Sequence, residues 1–600
     1  MKINLTNMSY SYKYIICFVI ILISLKASIC FETVSVKLKQ GELSGTVEKT
    51  FLNNADYFSF RGIPYAEPPL GELRFKPPKP HSGWEGILDA HKNKQKCVQN
   101  NSKKRNKEKF GISGSEDCLY INVFTPKLDG SAAVLVFDYH DDFRTGYNGT
   151  KKYSPEILAE EDVVVVVINH RLSILGYLTT EDDAIPANNG LRDYLLGLQW
   201  INENIKHFGG DPGRVTLMGS KGGATLANIM LYSKRATGLF NAVTLQSGTV
   251  FEAIYFPENP RQYAFKLGEL FDINTDDGHT LLTELQKIDV NQLYEKETSV
   301  IDIDIIEAIQ RNVFPFEPVL EAESSDAILT ALPEHSKIVN DVPVMIGYNS
   351  REGLDHASFL LFQPRILNSL KDFFVHFPIR MGFRFDINST AFEQYKADIN
   401  NFYFKEGYLN YNNILDYVIY VGDTLQNYAI NYAARKMAKE LTSPTYYYMF
   451  DFYGSLNEHM LFITKNTGYS IETWGASVGD ELCYLHVCGF IRDNYKKIKD
   501  HITVQNEIKV MKKMIRLWAN FAKTGNPTPN EYDPVLKSLT WHPIDKDGEN
   551  LKYLHMRKNF RMEINPLGKR EAFWDTTLKK YGEMVIDGVA HNEEQVRDEL

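Results

Sequence analysis

Val215-Thr-Leu-Met-Gly-Ser-Lys-Gly-Gly-Ala224 is a short apolar run that passes through a glycine-flanked turn into a helix-forming stretch. A strand that bends sharply into a helix admits only small residues two positions either side of its tip. The pattern Gly-x-Nu-x-Gly uses such a turn to expose a nucleophile. Here the outer glycines are Gly219 and Gly223, and the residue between them is Lys221. Centring the turn on Ser220 would set Met218 against Gly222 as its flanks, and methionine is too large for that place. The turn that presents a reactive atom is written, and it presents an ammonium.

Outward from this turn, buried-strand signals recur at residues 134–137, 163–168, 215–218, 242–245 and 342–346. Continuous β-branched runs suit parallel strands covered on both faces. Between them lie helical stretches at 189–206, with Leu191, Leu195, Leu198 and Ile201 at helical spacing, and at 224–232. Alternation of strand and helix predicts an α/β fold with a large, mostly parallel central sheet flanked by helices. Residues 255–465 read as mostly helical cap and insertion material, apart from the return to the sheet at 342–346. That cap would cover the C-terminal ends of the strands, where open α/β sheets place ligands.

The chain has 600 residues and a formal charge of −10, spread along its length. That charge argues against nucleic acid as a partner. Lys2 and Lys13 precede an apolar run at 14–25, closed by Lys26-Ala-Ser-Ile-Cys30. The run has the length of a signal-peptide core, so residues 1–30 read as a signal peptide, 31–580 as the folded domain and 581–600 as a flexible tail. No membrane anchor is expected. The last residues, Arg597-Asp598-Glu599-Leu600, differ by one from the address read by the endoplasmic-reticulum retrieval receptor, which makes that receptor an expected partner and the lumen the expected compartment, with secretion as the alternative. Cys97, Cys118, Cys483 and Cys488 remain after signal removal, and oxidising surroundings favour pairing. Cys483 and Cys488 could pair only if their segment is not a regular helix, which the sequence leaves open. Asn100, Asn148 and Asn388 open glycosylation sequons. No metal or cofactor is expected.

Several segments together resemble the type-B carboxylesterase and cholinesterase family. They are Phe60-Arg-Gly-Ile-Pro-Tyr-Ala-Glu-Pro-Pro69, Ser115-Glu-Asp-Cys-Leu-Tyr-Ile-Asn-Val-Phe-Thr-Pro126, Ile168-Asn-His-Arg-Leu172, Phe208-Gly-Gly-Asp-Pro212, Leu245-Gln-Ser-Gly248 and Trp518-Ala-Asn-Phe521. The resemblance covers residues 33–575 and implies an α/β-hydrolase fold, a Cys97–Cys118 bridge and a deep gorge lined by aromatic side chains.

Chemistry of that family needs an attacking serine, a histidine base oriented by a carboxylate, and backbone N–H groups for the oxyanion. The resemblance places Lys221 at the nucleophile position. In Gly347-Tyr-Asn-Ser-Arg-Glu-Gly353 it puts Glu352 in the acid's role, and in Gly475-Ala-Ser-Val-Gly-Asp-Glu481 it puts Val478 where the base belongs. Val136-Phe-Asp-Tyr-His-Asp-Asp-Phe143 resembles the His-Gly-Gly-Gly-Phe oxyanion turn, with Tyr139 for the histidine and His140, Asp141 and Asp142 for the glycines. Gly222 keeps one donor opposite. These residues predict no catalytic group and a pseudoenzyme that binds a protein partner or an apolar small molecule. Lys221 is expected to pair with Asp141, Asp142 or Glu352. The alternative is an ester hydrolase using Ser220 or Ser477.

Overall fold

The computed structural model describes residues 32–591, except 107–108, 147–150, 302–313, 363–376, 405–413, 468–474 and 501–504. The segments read as signal peptide and retrieval signal, and the sequon at Asn148, lie outside the described residues.

One large sheet carries the fold. Its main strands are β1 (Thr33–Leu38), β2 (Gly41–Lys49), β3 (Asp56–Pro64), β4 (Tyr120–Thr125), β5 (Ala132–Asp141), β6 (Val163–Ile168), β7 (Gly210–Lys221), β8 (Ala242–Gln246), β9 (Val344–Asn349), β10 (Thr445–Phe450), β11 (Lys552–Met556) and β12 (Phe560–Ile564), with Ile87–Asp89 and Thr145–Gly146 as short side strands on β2 and β5. They lie in the order β1-β2-β3-β4-β6-β5-β7-β8-β9-β10-β11-β12. From β6 to β11 every neighbour is parallel, and the flanking pairs are antiparallel.

The valine run shows why. Val164, Val166 and Ile168 enter one hydrophobic cluster, while Val163, Val165 and Val167 enter another on the opposite face. Side chains alternate along a strand, so a run that is apolar at every position is stable only with both faces covered. Helices supply the cover, among them α1 (Asn189–Asn204), α2 (Gly222–Tyr232) and α5 (Gln505–Thr524), while α3 (Leu354–Phe362) and α4 (Glu458–Thr467) pack against each other.

Three expectations change. The insertion at 255–465 returns to the sheet twice. Its second return is β10, whose Thr-Tyr-Tyr-Tyr-Met-Phe sequence lies between β9 and β11. Aromatic residues suit a pleated, buried surface as well as valine does, but they do not announce it. The tail from 581 is structured up to His591. Val585–Ile586 and Val589–Ala590 form a hairpin that pairs with Arg384–Phe385. Asn100 is half-buried, and its amide donates to the Glu297 carboxylate at 2.6 Å, which leaves that sequon poorly placed for a glycan. Asn388 stands in an exposed turn.

Cys97 and Cys118 are bridged, and so are Cys483 and Cys488. The second pair forms because the segment holds a single turn of 3-10 helix, Glu481–Tyr484, rather than a continuing α-helix.

Candidate active site

Strand β7 ends at Lys221, and α2 begins at the next residue. Lys221 has φ 53° and ψ −124°. For a side chain with a Cβ this is a costly backbone state, on the order of 1–3 kcal/mol, that persists only when its surroundings enforce it. The two glycines enforce it by close packing. A Cβ at Gly219 would sit 2.1 Å from the Gly223 carbonyl oxygen, and one at Gly223 would sit 2.4 Å from the carbonyl oxygen of Asp138 on β5. The strained turn is intact. Ser220, by contrast, lies within β7 with its hydroxyl fully buried and without a hydrogen-bond partner, so no base reaches it.

The Lys221 side chain is only 6% exposed. Its ammonium donates to Asp141 Oδ1 at 2.7 Å and to Asp355 Oδ2 at 2.5 Å. Asp141 closes β5, and Asp355 stands in the first turn of α3. Burial works against a charge at 221, but the Asp141 and Asp355 carboxylates outweigh it and hold the amine protonated, well above its ordinary range. Burial likewise opposes ionisation of Asp355, and the Lys221 ammonium overrides it, holding that carboxyl far below its usual value. Two of the three expected partners are otherwise engaged. Asp142 accepts from the Tyr255 hydroxyl at 3.1 Å. Burial, then the neighbouring Asp141 charge, pushes Asp142 up to about 6.

Glu352 has turned inward. It accepts from the Ser247 hydroxyl at 2.6 Å and the Asn349 N–H at 2.6 Å, and its other oxygen has no partner. Asn349 also links it to Glu481, donating to that carboxylate at 2.6 Å. Burial first, and then the Glu481 charge, push Glu352 up to about 8. Glu481 itself is pushed up to about 7 by burial. Val478 is buried, and its side chain carries no polar atom.

Two imidazoles act on this cluster: His356, beside Asp355 in α3, whose charge favours the ionised Asp141, Asp142 and Asp355, and His459, near the start of α4. The Nδ1 of His459 lies 3.0 Å from Ser477 Oγ and its Nε2 lies 3.5 Å from Asp355 Oδ1. The sequence reading missed both His459 and Asp355. Neither sits in a motif, and what brings them together is the docking of α3 against α4, which no local pattern encodes.

On the oxyanion side, His140 fills the space that a glycine would leave. A Cβ at Gly222 would meet His140 Nδ1 at 2.2 Å, so the imidazole lies directly against the start of α2. The Phe143 N–H donates to that same Nδ1 at 3.1 Å. A backbone donor is thereby consumed by a side chain within the turn.

A mostly parallel sheet with a strained Gly-x-Lys-x-Gly elbow at the end of a central strand defines an α/β-hydrolase-fold protein. The carboxylesterase family matches residues 32–574, and the chain belongs to it. It is 30% identical to the juvenile hormone esterase of Tribolium castaneum over 90% of this chain and 93% of that protein. It is 31% identical to esterase FE4 of Myzus persicae, over 87% and 90% respectively. Carboxylesterase 4A of Bos taurus is 29% identical over 89% and 93%.

Proposed function

We propose that this carboxylesterase-family protein does not hydrolyse esters, and that it works in the endoplasmic-reticulum lumen by binding a protein partner or an apolar small molecule. The observation that carries this reading is the clamp at the elbow. A protonated amine has no lone pair with which to attack a carbonyl, and two carboxylates keep Lys221 protonated. The same pairing argues against Lys221 as a Schiff-base amine. Val478 cannot take up a proton, and Glu352 is bonded to Ser247 instead of to a base. The lumenal address rests on the apolar run at 14–25 and on Arg597-Asp598-Glu599-Leu600. Among the described residues no helix is long and apolar enough to cross a membrane.

A second reading has a specific observation in its favour. Ser477, His459 and Asp355 stand in the order of a hydrolytic relay. Against it, the Ser477 residue has no exposed surface, and Asp355 is drawn 2.5 Å from Lys221 while 3.5 Å from His459. Exposure of the purified protein to a short-chain aryl ester and a fluorophosphonate probe separates the two. Neither turnover above buffer nor a labelled serine is the expected result. Labelling at Ser477 that disappears in His459→Ala would replace the binding reading with the hydrolytic one.

A further inference from the structure

Beneath the oxyanion turn, on the far side of β5 from the Lys221 clamp, we propose that Asp138, His140 and His170 form a binding site for one divalent transition-metal ion of the zinc or cobalt type. Asp138 and His140 are two apart on β5 and so project to the same face. His170 follows the end of the adjacent parallel strand β6, whose Val167 is in register with Phe137. All three residues are at least 94% buried.

Each offers one ligand atom, and the three atoms lie within 4.8 Å of one another. His170 Nε2 is 3.2 Å and His140 Nε2 is 3.7 Å from Asp138 Oδ2. Metal–ligand bonds of 2.0–2.2 Å at tetrahedral angles demand ligand spacings of about 3.4 Å, which these two distances bracket. The residues border a cavity of about 20 Å³, together with Gln99 and Asn169. That is space for a single small occupant. Two buried polar atoms of its wall residues have no partner, His140 Nε2 and Asn169 Oδ1.

Two imidazoles and a carboxylate are a borderline N/O donor set. It favours zinc-like ions over calcium or magnesium, which prefer oxygen throughout. His170 faces an acceptor at each nitrogen. Its Nδ1 lies 3.3 Å from the Arg171 carbonyl, which would hold the remaining proton. Its Nε2 lies 3.2 Å from Asp138 Oδ2, so Nε2 must give up a proton to ligate. His140 must move its proton to Nδ1 and give up the bond from the Phe143 N–H. Lys96 also borders the cavity, and its charge opposes a dication. These three costs weaken the site without removing a ligand. With room for a single small occupant, the ion would act structurally. It would pin the end of β5 to β6, where the turn carries Asp141 towards Lys221.

The test uses the untagged mature chain, stripped with a chelator and titrated with Zn²⁺ and separately with Co²⁺. Expected results are one tightly held equivalent, the visible absorption bands of nitrogen-coordinated Co²⁺, and a higher melting temperature with metal. Asp138→Asn and His140→Gly, the second of which restores the small residue of the related turn, should each weaken binding by roughly tenfold or more while leaving both disulfides formed. Absence of a bound equivalent, unchanged affinity in both variants, or a crystal structure with only a water against His140 Nε2 would overturn the site.

Discussion

Removing the Lys221 ammonium leaves Asp141 and Asp355 facing a shared space without a counter-charge. Asp141 is 48% exposed and Asp355 is 26% exposed at the side chain. Water therefore screens part of the loss, and Lys221→Met should cost about 1–3 kcal/mol rather than the larger penalty of a fully buried pair. Urea denaturation at neutral pH measures it, and adding Asp355→Asn should restore part of the stability. The folded-state value of Asp355 is depressed, so its contribution is present above the ordinary carboxylate range and fades as pH falls through the depressed value. The gap between wild type and Lys221→Met should shrink in acid accordingly. Glu352 works in the opposite sense. Its value is raised to about 8, so the folded state holds a proton that the unfolded chain has released, and stability falls as pH rises from the ordinary range to about 8. Glu352→Gln should flatten that decline, read as melting temperatures at pH 5.5 and 8.5. An equal slope in the two proteins would show that Glu352 is not the group responsible.

At the scale of elements, the elbow is held by contact between backbones. Gly219→Ala forces a methyl group onto the Gly223 carbonyl where β7 meets α2. No side chain can move aside there, so this variant is expected to lose its cooperative thermal transition. The loop from Glu481–Tyr484 to the short strand at Val487–Cys488 is stapled by the Cys483–Cys488 bridge, which closes a very short loop. Closing so few residues limits the unfolded chain only modestly. Replacing both cysteines by serine should therefore cost about 2 kcal/mol by the loop-entropy relation. A guanidinium titration of the double variant gives the figure. This bridge was not legible beforehand, because five-residue spacing fits a helix as well as a turn. The β10 strand was hidden for a related reason. Three consecutive tyrosines carry no period, and only their place between β9 and β11 makes them a central strand.

Across the whole molecule, on the proposed reading, the nucleophile, base and oxyanion positions are altered together, so no single reversal should revive the site. Lys221→Ser alone is expected to give no aryl-ester turnover, because Val478 and the Asp141–Asp142 pair remain. Detectable turnover would mean that His459 can serve a serine at the elbow. Deleting Arg597–Leu600 should shift the protein from the cell interior to the medium in a pulse-chase experiment. The sheet, its both-faced burial and the elbow were determined by the sequence alone, because each is encoded in residues close together along the chain: the valine run of β6 and the glycines at 219 and 223. That Lys221 occupies the tip, and that Val478 and the acidic turn accompany it, could also be read without coordinates. Which carboxylate the lysine holds could not. Asp141, Asp142 and Glu352 were equally plausible by charge. The packing of α3 against α4 brought in Asp355, the Ser247 hydroxyl drew Glu352 away, and Tyr255 took up Asp142. A buried charge takes whichever partner the surrounding backbone delivers within about 3 Å, and that delivery is a property of the tertiary fold.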